Sequence, residues 1–210
     1  MAFVPEKREL MLDINPSNAY SLALIGQTRS GKSYLLNHLM ERYFSRKLNI
    51  LMTDSPNADI YKSGFFASKD VLRCPCYSSD LIKDCYKINK GTGNKYEFMF
   101  VIDDIVDKKN DKQLFKVATI YRNSNISMAL VGQRMAILPP TVRGNTNFIF
   151  LGRLGNDYEI ENTIKAFLQT FFPKEFSMYE KIQAYKDITK NYHFICLDNI
   201  NGETFITKVK

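Results

Sequence analysis

The sequence predicts an α/β fold, with a mostly parallel central sheet, helices on both faces and a β-hairpin near the C-terminal end. Three observations point to it. A largely apolar run, Ala19–Ile25, leads through Gly26-Gln27-Thr28-Arg29-Ser30-Gly31-Lys32-Ser33 into a stretch with helical spacing. A second apolar run, Phe98–Ile102, ends on the acid pair Asp103-Asp104, and a third, Ile126–Gly132, ends on Gln133. Strands covered on both faces read as nearly unbroken apolar runs, and such runs alternating with helix-period stretches build parallel sheets.

Gly26–Ser33 fits G-x-x-x-x-G-K-[ST], the phosphate-binding P-loop. Leu35, Leu36, Leu39, Met40 and Tyr43 follow at helical spacing, so strand, glycine loop and helix occur in the order this motif requires. Such a loop turns backbone N–H groups inward as an anion nest, and the helix that follows aims its positive end at the same spot. Gly26 and Gly31 permit backbone angles and a phosphate approach that a Cβ would block. Lys32 is expected to reach the β- and γ-phosphates of ATP, and Ser33 to ligate Mg²⁺.

Further along, Ile50–Thr53 reads as a second buried strand, broken by Ser55-Pro56-Asn57. The region Ile60–Tyr77 is irregular, with a short strand at Val71–Cys74, and Ser79–Asn89 has one apolar helical face. The run into Asp103-Asp104 has the Walker B pattern. A central strand would carry Asp103 to the phosphate side, where it shares the Mg²⁺ with Ser33, and Asp104 would orient or deprotonate the attacking water. Asp111–Tyr121 reads as a helix. The next strand places Gln133 at the sheet edge where ligands bind in open α/β sheets, within reach of a γ-phosphate or the lytic water. Asn147–Gly152 is the next core strand, Asp157 is a candidate N-cap for a helix to about Thr170, and Pro173 separates it from a helix over Glu175–Ile188. Tyr192–Leu197 and Glu203–Val209 read as a hairpin around Asn201-Gly202 that flanks the sheet. The expected division is a lead-in over 1–18, a core over 19–155, and C-terminal helices and hairpin over 156–210 on the same domain.

Composition limits the alternatives. No run of about eighteen apolar residues is present, so no membrane-spanning helix is expected, and Met1–Asn15 has no signal-peptide pattern. Lys and Arg number 29 against 22 Asp and Glu, and the net charge of +7 favours a polyanionic partner. Cys74, Cys76, Cys85 and Cys196 lack the paired spacing of a zinc site and read as reduced thiols.

The ordered set of Gly26–Ser33, Phe98–Asp104, Arg122 before a strand, Gln133 at its end and Pro-Pro-x-x-Arg-x-Asn at Pro139–Asn145 resembles the FtsK–HerA superfamily of pumping ATPases. Within it the chain is most similar to the genome-packaging ATPases of poxviruses, giant DNA viruses and virophages, with size and tail closest to the virophage members. The resemblance covers Ser21 to about Leu154. It implies an additional-strand, RecA-like P-loop core, a homo-oligomeric ring (pentamer or hexamer), ATP and Mg²⁺ as cofactors, and translocation of double-stranded DNA. It also implies docking on capsid vertex proteins, in the host cytoplasm at the viral factory and in association with the virion. Its strand-end glutamine maps onto Gln133, and its arginine acting on the neighbouring subunit's ATP maps onto Arg122, with Arg143 and Arg153 as alternatives.

Two departures stand out: the second Walker B acid, usually Glu, is Asp104, and Arg29 lies inside the P-loop where small residues are common. Arg29 is a candidate cis cation for γ-phosphate charge. A translocase should contact mainly DNA phosphates, for which Lys108, Lys109 and Lys112 are candidates. A small nucleotide or nucleoside kinase, a nucleotide-dependent assembly switch and a helicase would use the same loop. A kinase would leave Gln133 and Arg122 without a role, and no arginine-rich lid or strand-separating element is evident.

Overall fold

In the computed structural model, which describes residues 5–55, 58–103, 112–138 and 140–208, eight strands form one sheet in the order β3-β2-β4-β5-β1-β6-β7-β8. The strands are β1 (Ser21–Ile25), β2 (Leu48–Thr53), β3 (Val71–Cys74), β4 (Phe98–Asp103), β5 (Ile126–Gly132), β6 (Phe148–Leu151), β7 (Phe194–Asp198) and β8 (Glu203–Thr207). The first six pair in parallel, and β7 and β8 continue the sheet antiparallel to β6. The expected hairpin is therefore present, and it extends the sheet rather than flanking it. β5 lies between the P-loop strand β1 and the acid-bearing strand β4, the additional-strand arrangement of P-loop ATPases.

Alternation along the strands divides the core by face. Ala23, Ile25, Phe98, Phe100, Ile102, Met128, Leu130, Ile149 and Leu151 belong to one cluster. They meet α2 (Ser79–Gly91), α3 (Lys112–Thr119), α5 (Asp157–Phe167) and α6 (Met178–Ile188). Leu22, Leu24, Met99, Val101, Ala129, Val131, Phe148 and Phe150 face the other way, onto α1 (Lys32–Leu39) and the N-terminal Leu10 and Leu12. Period-two side chains on buried parallel strands give two cores with one backbone layer between them. In α1, Leu35, Leu36 and Leu39 are fully buried, and at about 1.5–3 kcal/mol each they fix the helix that closes the P-loop. The helix continues through a π turn at Met40–Phe44.

Several boundaries differ from expectation for local reasons. Of the stretch expected to be helical over Asp111–Tyr121, Asp111 lies outside the described residues; the helix occupies Lys112–Thr119 and a 3-10 turn follows at Tyr121–Ser124. The N-cap of α5 is Asn156, whose Oδ1 accepts from Glu159 N at 2.9 Å, and Asp157 is the first helical residue. α6 begins at Met178 instead of Glu175, because Ser177 and Glu180 form a reciprocal capping box. The irregular region after β2 contains 3-10 turns at Asp59–Lys62 and Gly64–Ala67. Among its described residues the lead-in makes one isolated bridge to the sheet: Arg8 N donates to Ile206 O and Ile206 N to Glu6 O, both at 2.8 Å, along the outer edge of β8.

Candidate functional site

The phosphate loop is held at its mouth by the strands on either side. Gly26 N donates to Gly132 O at 3.1 Å at the end of β5, and Gln27 N to Arg153 O at 2.7 Å just past β6. A Cβ on Gly26 would lie 2.7 Å from Ser30 Oγ and 3.3 Å from Arg153 O, so a side chain there would have to displace the Ser30 hydroxyl and crowd the carbonyl. Gly31 has φ +90° and caps α1. Arg29 also has positive φ, at 62°, and stands exposed at the loop's tip, an uncommon conformation for a non-glycine residue. Thr28 is exposed beside it, and Ser30 is buried within the loop.

The Lys32 ammonium donates to Gly26 O at 2.6 Å and Gln27 O at 3.0 Å, which centres its charge inside the loop. The first-turn amides of any helix lack intrahelical acceptors, and α1 opens at Lys32 directly from the loop that holds that ammonium. Loop amides, helix end and lysine together make a site for a polyanion such as a triphosphate.

Asp103 ends β4, two strands from β1, which puts the chains about 9–10 Å apart. It has the same parity as Val101, so its carboxylate is on the α1 face, where Ser33 lies in the first turn. Tyr61 Oη donates to Asp103 Oδ2. Tyr61 is held in turn by Arg73 on β3, whose guanidinium donates to Tyr61 O at 2.9 Å and Phe66 O at 2.5 Å. No sequence signal marked this pairing, because Tyr61 lies in the irregular stretch and 42 residues before its partner. A hydroxyl and a carboxylate are hard oxygen donors. Mg²⁺ needs only one or two of these when phosphates and waters complete its shell, so the pair fits that ion. Among the described residues no cluster of three or more His, Cys, Asp or Glu could hold a metal without such help.

Gln133 follows Gly132 directly, and Gly132 is paired with Ile25 and bonded to Gly26, so Gln133 emerges beside the P-loop. Arg122 is at the other end of the sheet, in the turn before β5, half-buried, with Nη1 donating to Asn147 Oδ1 at 3.4 Å. A seven-residue strand separates it from its own P-loop, roughly 23 Å. Arg143, in α4 (Pro140–Arg143), packs over the Phe167 ring at 4.9 Å and donates to Leu138 O at 3.3 Å, and burial lowers its pKa. Arg153 is exposed on the P-loop side and lines a cavity of about 330 Å³ with Gln27, Asp157, Lys186 and Lys190. Asp104, Lys108, Lys109 and Pro139 lie outside the described residues, as does the side chain of Lys112. The described part of the site thus joins Gly26–Ser33, Asp103 and Gln133 at one sheet edge and leaves Arg122 at the opposite one.

The profile of the family described as Poxvirus A32 protein matches residues 11–170. Among curated proteins, none matches the chain significantly. Solved structures share the fold. The DNA-packaging ATPase B204 of Sulfolobus turreted icosahedral virus superposes with a TM-score of 0.65 at 19% identity, over 94% of this chain and 100% of that one. The genome packaging NTPase B204 of Sulfolobus turreted icosahedral virus 2, in complex with AMPPCP, gives a TM-score of 0.63 at 19% identity with the same coverage. The pCW3 conjugation coupling protein TcpA, with ATPgS, gives 0.62 at 13% identity, over 92% of this chain and 60% of that one.

Proposed function

Since the chain belongs to the poxvirus A32 protein family, whose members are viral genome-packaging ATPases, we propose that it drives double-stranded DNA into a capsid as a ring of identical subunits. It is an ATP-hydrolysing enzyme of that family, and its place of work is the infected cell. The observation that carries the mechanism is the separation just described: phosphate cradle, Asp103 and Gln133 together, Arg122 a strand's length away.

In this reading Gly26–Ser33 seat the triphosphate and Lys32 neutralises its outer phosphates. Ser33 and Asp103 would hold Mg²⁺, which when bound offsets charge on the β- and γ-oxygens. Tyr61 fixes the Asp103 carboxylate, Asp104 orients the water for in-line attack, and Gln133 senses the γ-phosphate. Arg122 cannot serve its own site across the sheet, which suits service to a neighbour's. An arginine supplied in trans is worth about 10³–10⁵ in rate. Arg143 is engaged with Phe167, which favours Arg122 over it, and Arg29 adds cis charge from the loop tip. The +7 charge suits contacts to DNA phosphates without sequence reading. Membership of the FtsK–HerA pumps, kinship to the virophage enzymes, docking on capsid vertex proteins and work at the cytoplasmic viral factory complete the proposal.

The test is ATPase rate against protein concentration, with and without duplex DNA. Activity per subunit should rise with concentration and with DNA. A rate that stays constant down to the isolated monomer and ignores DNA refutes the ring pump, and stimulation by a nucleoside would indicate a kinase.

A further inference from the structure

A second cavity, about 240 Å³, adjoins the phosphate loop and is lined by Gly31, Tyr34, Tyr192, Phe194 and Lys208. Two of these residues, Gly31 and Tyr34, belong to the P-loop and the first turn of α1, so the cavity borders the segment that would seat the phosphates. The others come from the far end of the chain. Tyr192 Cδ1 lies 3.1 Å from where a Gly31 Cβ would be, so the ring rests on the glycine's backbone. Phe194 begins β7 and is buried, whereas Tyr34 and Tyr192 are 58% and 60% exposed.

Two consecutive non-glycine residues, Asn191 (φ 55°) and Tyr192 (φ 64°), occupy the left-handed region. Each such conformation costs on the order of 1–3 kcal/mol and concentrates at ligand clamps. The strain is held by neighbouring bonds: Thr189 Oγ1 donates to Tyr185 O at 2.9 Å, and His193 N to Lys190 O at 3.2 Å. The result is a tyrosine presented to the P-loop, on a surface where solvent alone gives it no reason to be.

We propose that this cavity receives the base of the bound nucleotide, stacked on the rings of Tyr34 and Tyr192, and that it selects purines by ring area with little distinction between adenine and guanine. The proposal rests on the reading of Gly26–Ser33 as a triphosphate site. Stacking tolerates any base because every base has a π-face, and it strengthens with ring area. Strong discrimination between bases requires buried polar groups that match one base edge. The described lining offers only the tyrosine hydroxyls and the exposed Lys208, whose ammonium donates and never accepts.

The test is titration of ATP, GTP, CTP, UTP and inorganic tripolyphosphate into wild type, Tyr192→Ala and Tyr192→Phe, each with a melting curve. Wild type should bind ATP and GTP within about tenfold of each other and both more tightly than CTP and UTP. Tyr192→Ala should weaken ATP and GTP by roughly 5- to 140-fold, the range expected for loss of one base–aromatic stack. Tripolyphosphate should bind all three proteins equally, and Tyr192→Phe should keep wild-type affinity for ATP. Unchanged ATP affinity in Tyr192→Ala, or an equal loss for ATP and tripolyphosphate, overturns the base site while leaving the phosphate site standing. A preference of ATP over GTP beyond a thousandfold overturns the selection rule. Failure of wild type to bind either ATP or tripolyphosphate overturns the triphosphate reading and this proposal with it.

Discussion

Asn89 offers a quantitative test of how the arginine turn is held. It is fully buried at the end of α2. Its Nδ2 donates to Tyr96 O at 2.8 Å and to Ser124 O, and its Oδ1 accepts from Tyr96 N at 2.9 Å. One side chain therefore ties α2 to the entry of β4 and to the turn that carries Arg122. Asn89→Ala leaves Ser124 O buried without that donor, a loss of about 1–3 kcal/mol. Tyr96 is 38% exposed, so water recovers part of its two bonds, and these add about 0.5–1 kcal/mol each. The sum is about 2–5 kcal/mol, or a fall in urea midpoint of about 1–2.5 M at a slope near 2 kcal/mol/M. Asn89→Asp should be at least as damaging, because it sets a buried carboxylate against two carbonyl oxygens. Urea unfolding without nucleotide measures both. A loss below about 1 kcal/mol for Asn89→Ala, or an aspartate variant more stable than the alanine one, would refute the reasoning.

Other expectations concern charge and thiols. If Arg122 acts in trans and Arg29 in cis, Arg122→Ala should lose the concentration-dependent part of the ATPase rate, and Arg29→Ala should lower the rate at every concentration. A wild-type rate in Arg29→Ala removes the cis role. The Lys47 side chain is 1% exposed and donates to Glu97 Oε2 and Asn18 O, both at 3.0 Å. Glu97→Ala should cost about 1–3 kcal/mol by thermal melting, and adding Lys47→Met should recover most of it, since the damage lies in the stranded charge. Burial pushes the Cys85 thiol up to about 11. The folded chain therefore keeps this proton while the unfolded chain releases it near 8.5, so its contribution to stability is intact below about pH 8.5 and falls as pH rises toward 11. Cys85→Ala should flatten that part of an alkaline denaturation curve. In the native protein at pH 8, a thiol reagent should label exposed Cys76 well before Cys85 or Cys196, and equal rates would contradict the burial.

The parallel strands were legible because each carries its signal in adjacent residues. Phe98–Asp103 and Ile126–Gly132 carry apolar residues on both parities, the first ending on Asp103 and the second followed at once by Gln133. The P-loop was legible for the same reason, being eight consecutive residues with one backbone task. Ser177-x-x-Glu180 was also written in the sequence as a capping box, and it gives the start of α6 that Pro173 alone does not. Tyr61 and Tyr192 were not legible. Each meets its partner across long stretches of chain, and neither sits in a periodic pattern. The hairpin's strands could be read from Asn201-Gly202, but its union with β6 could not. That pairing rests on main-chain bonds and on Phe194 and Cys196 joining the α1-side core, which no local spacing encodes.

The strip of chain beside β8 bears on how copies of this molecule can meet. An unpaired outer strand is an open invitation to main-chain zippering, and here the Arg8 amide and the Glu6 carbonyl of the lead-in already take up that invitation around Ile206. Arg8 clamps the strip further, gripping Glu6 and Glu203 at 2.5 Å while its guanidinium lies 5.2 Å above Phe205. Subunits crowded shoulder to shoulder are thereby discouraged from fusing their sheets on that flank. Trimming the chain before Glu9 should uncover it, and the shortened protein should be more prone to aggregate than the full chain, as light scattering would report.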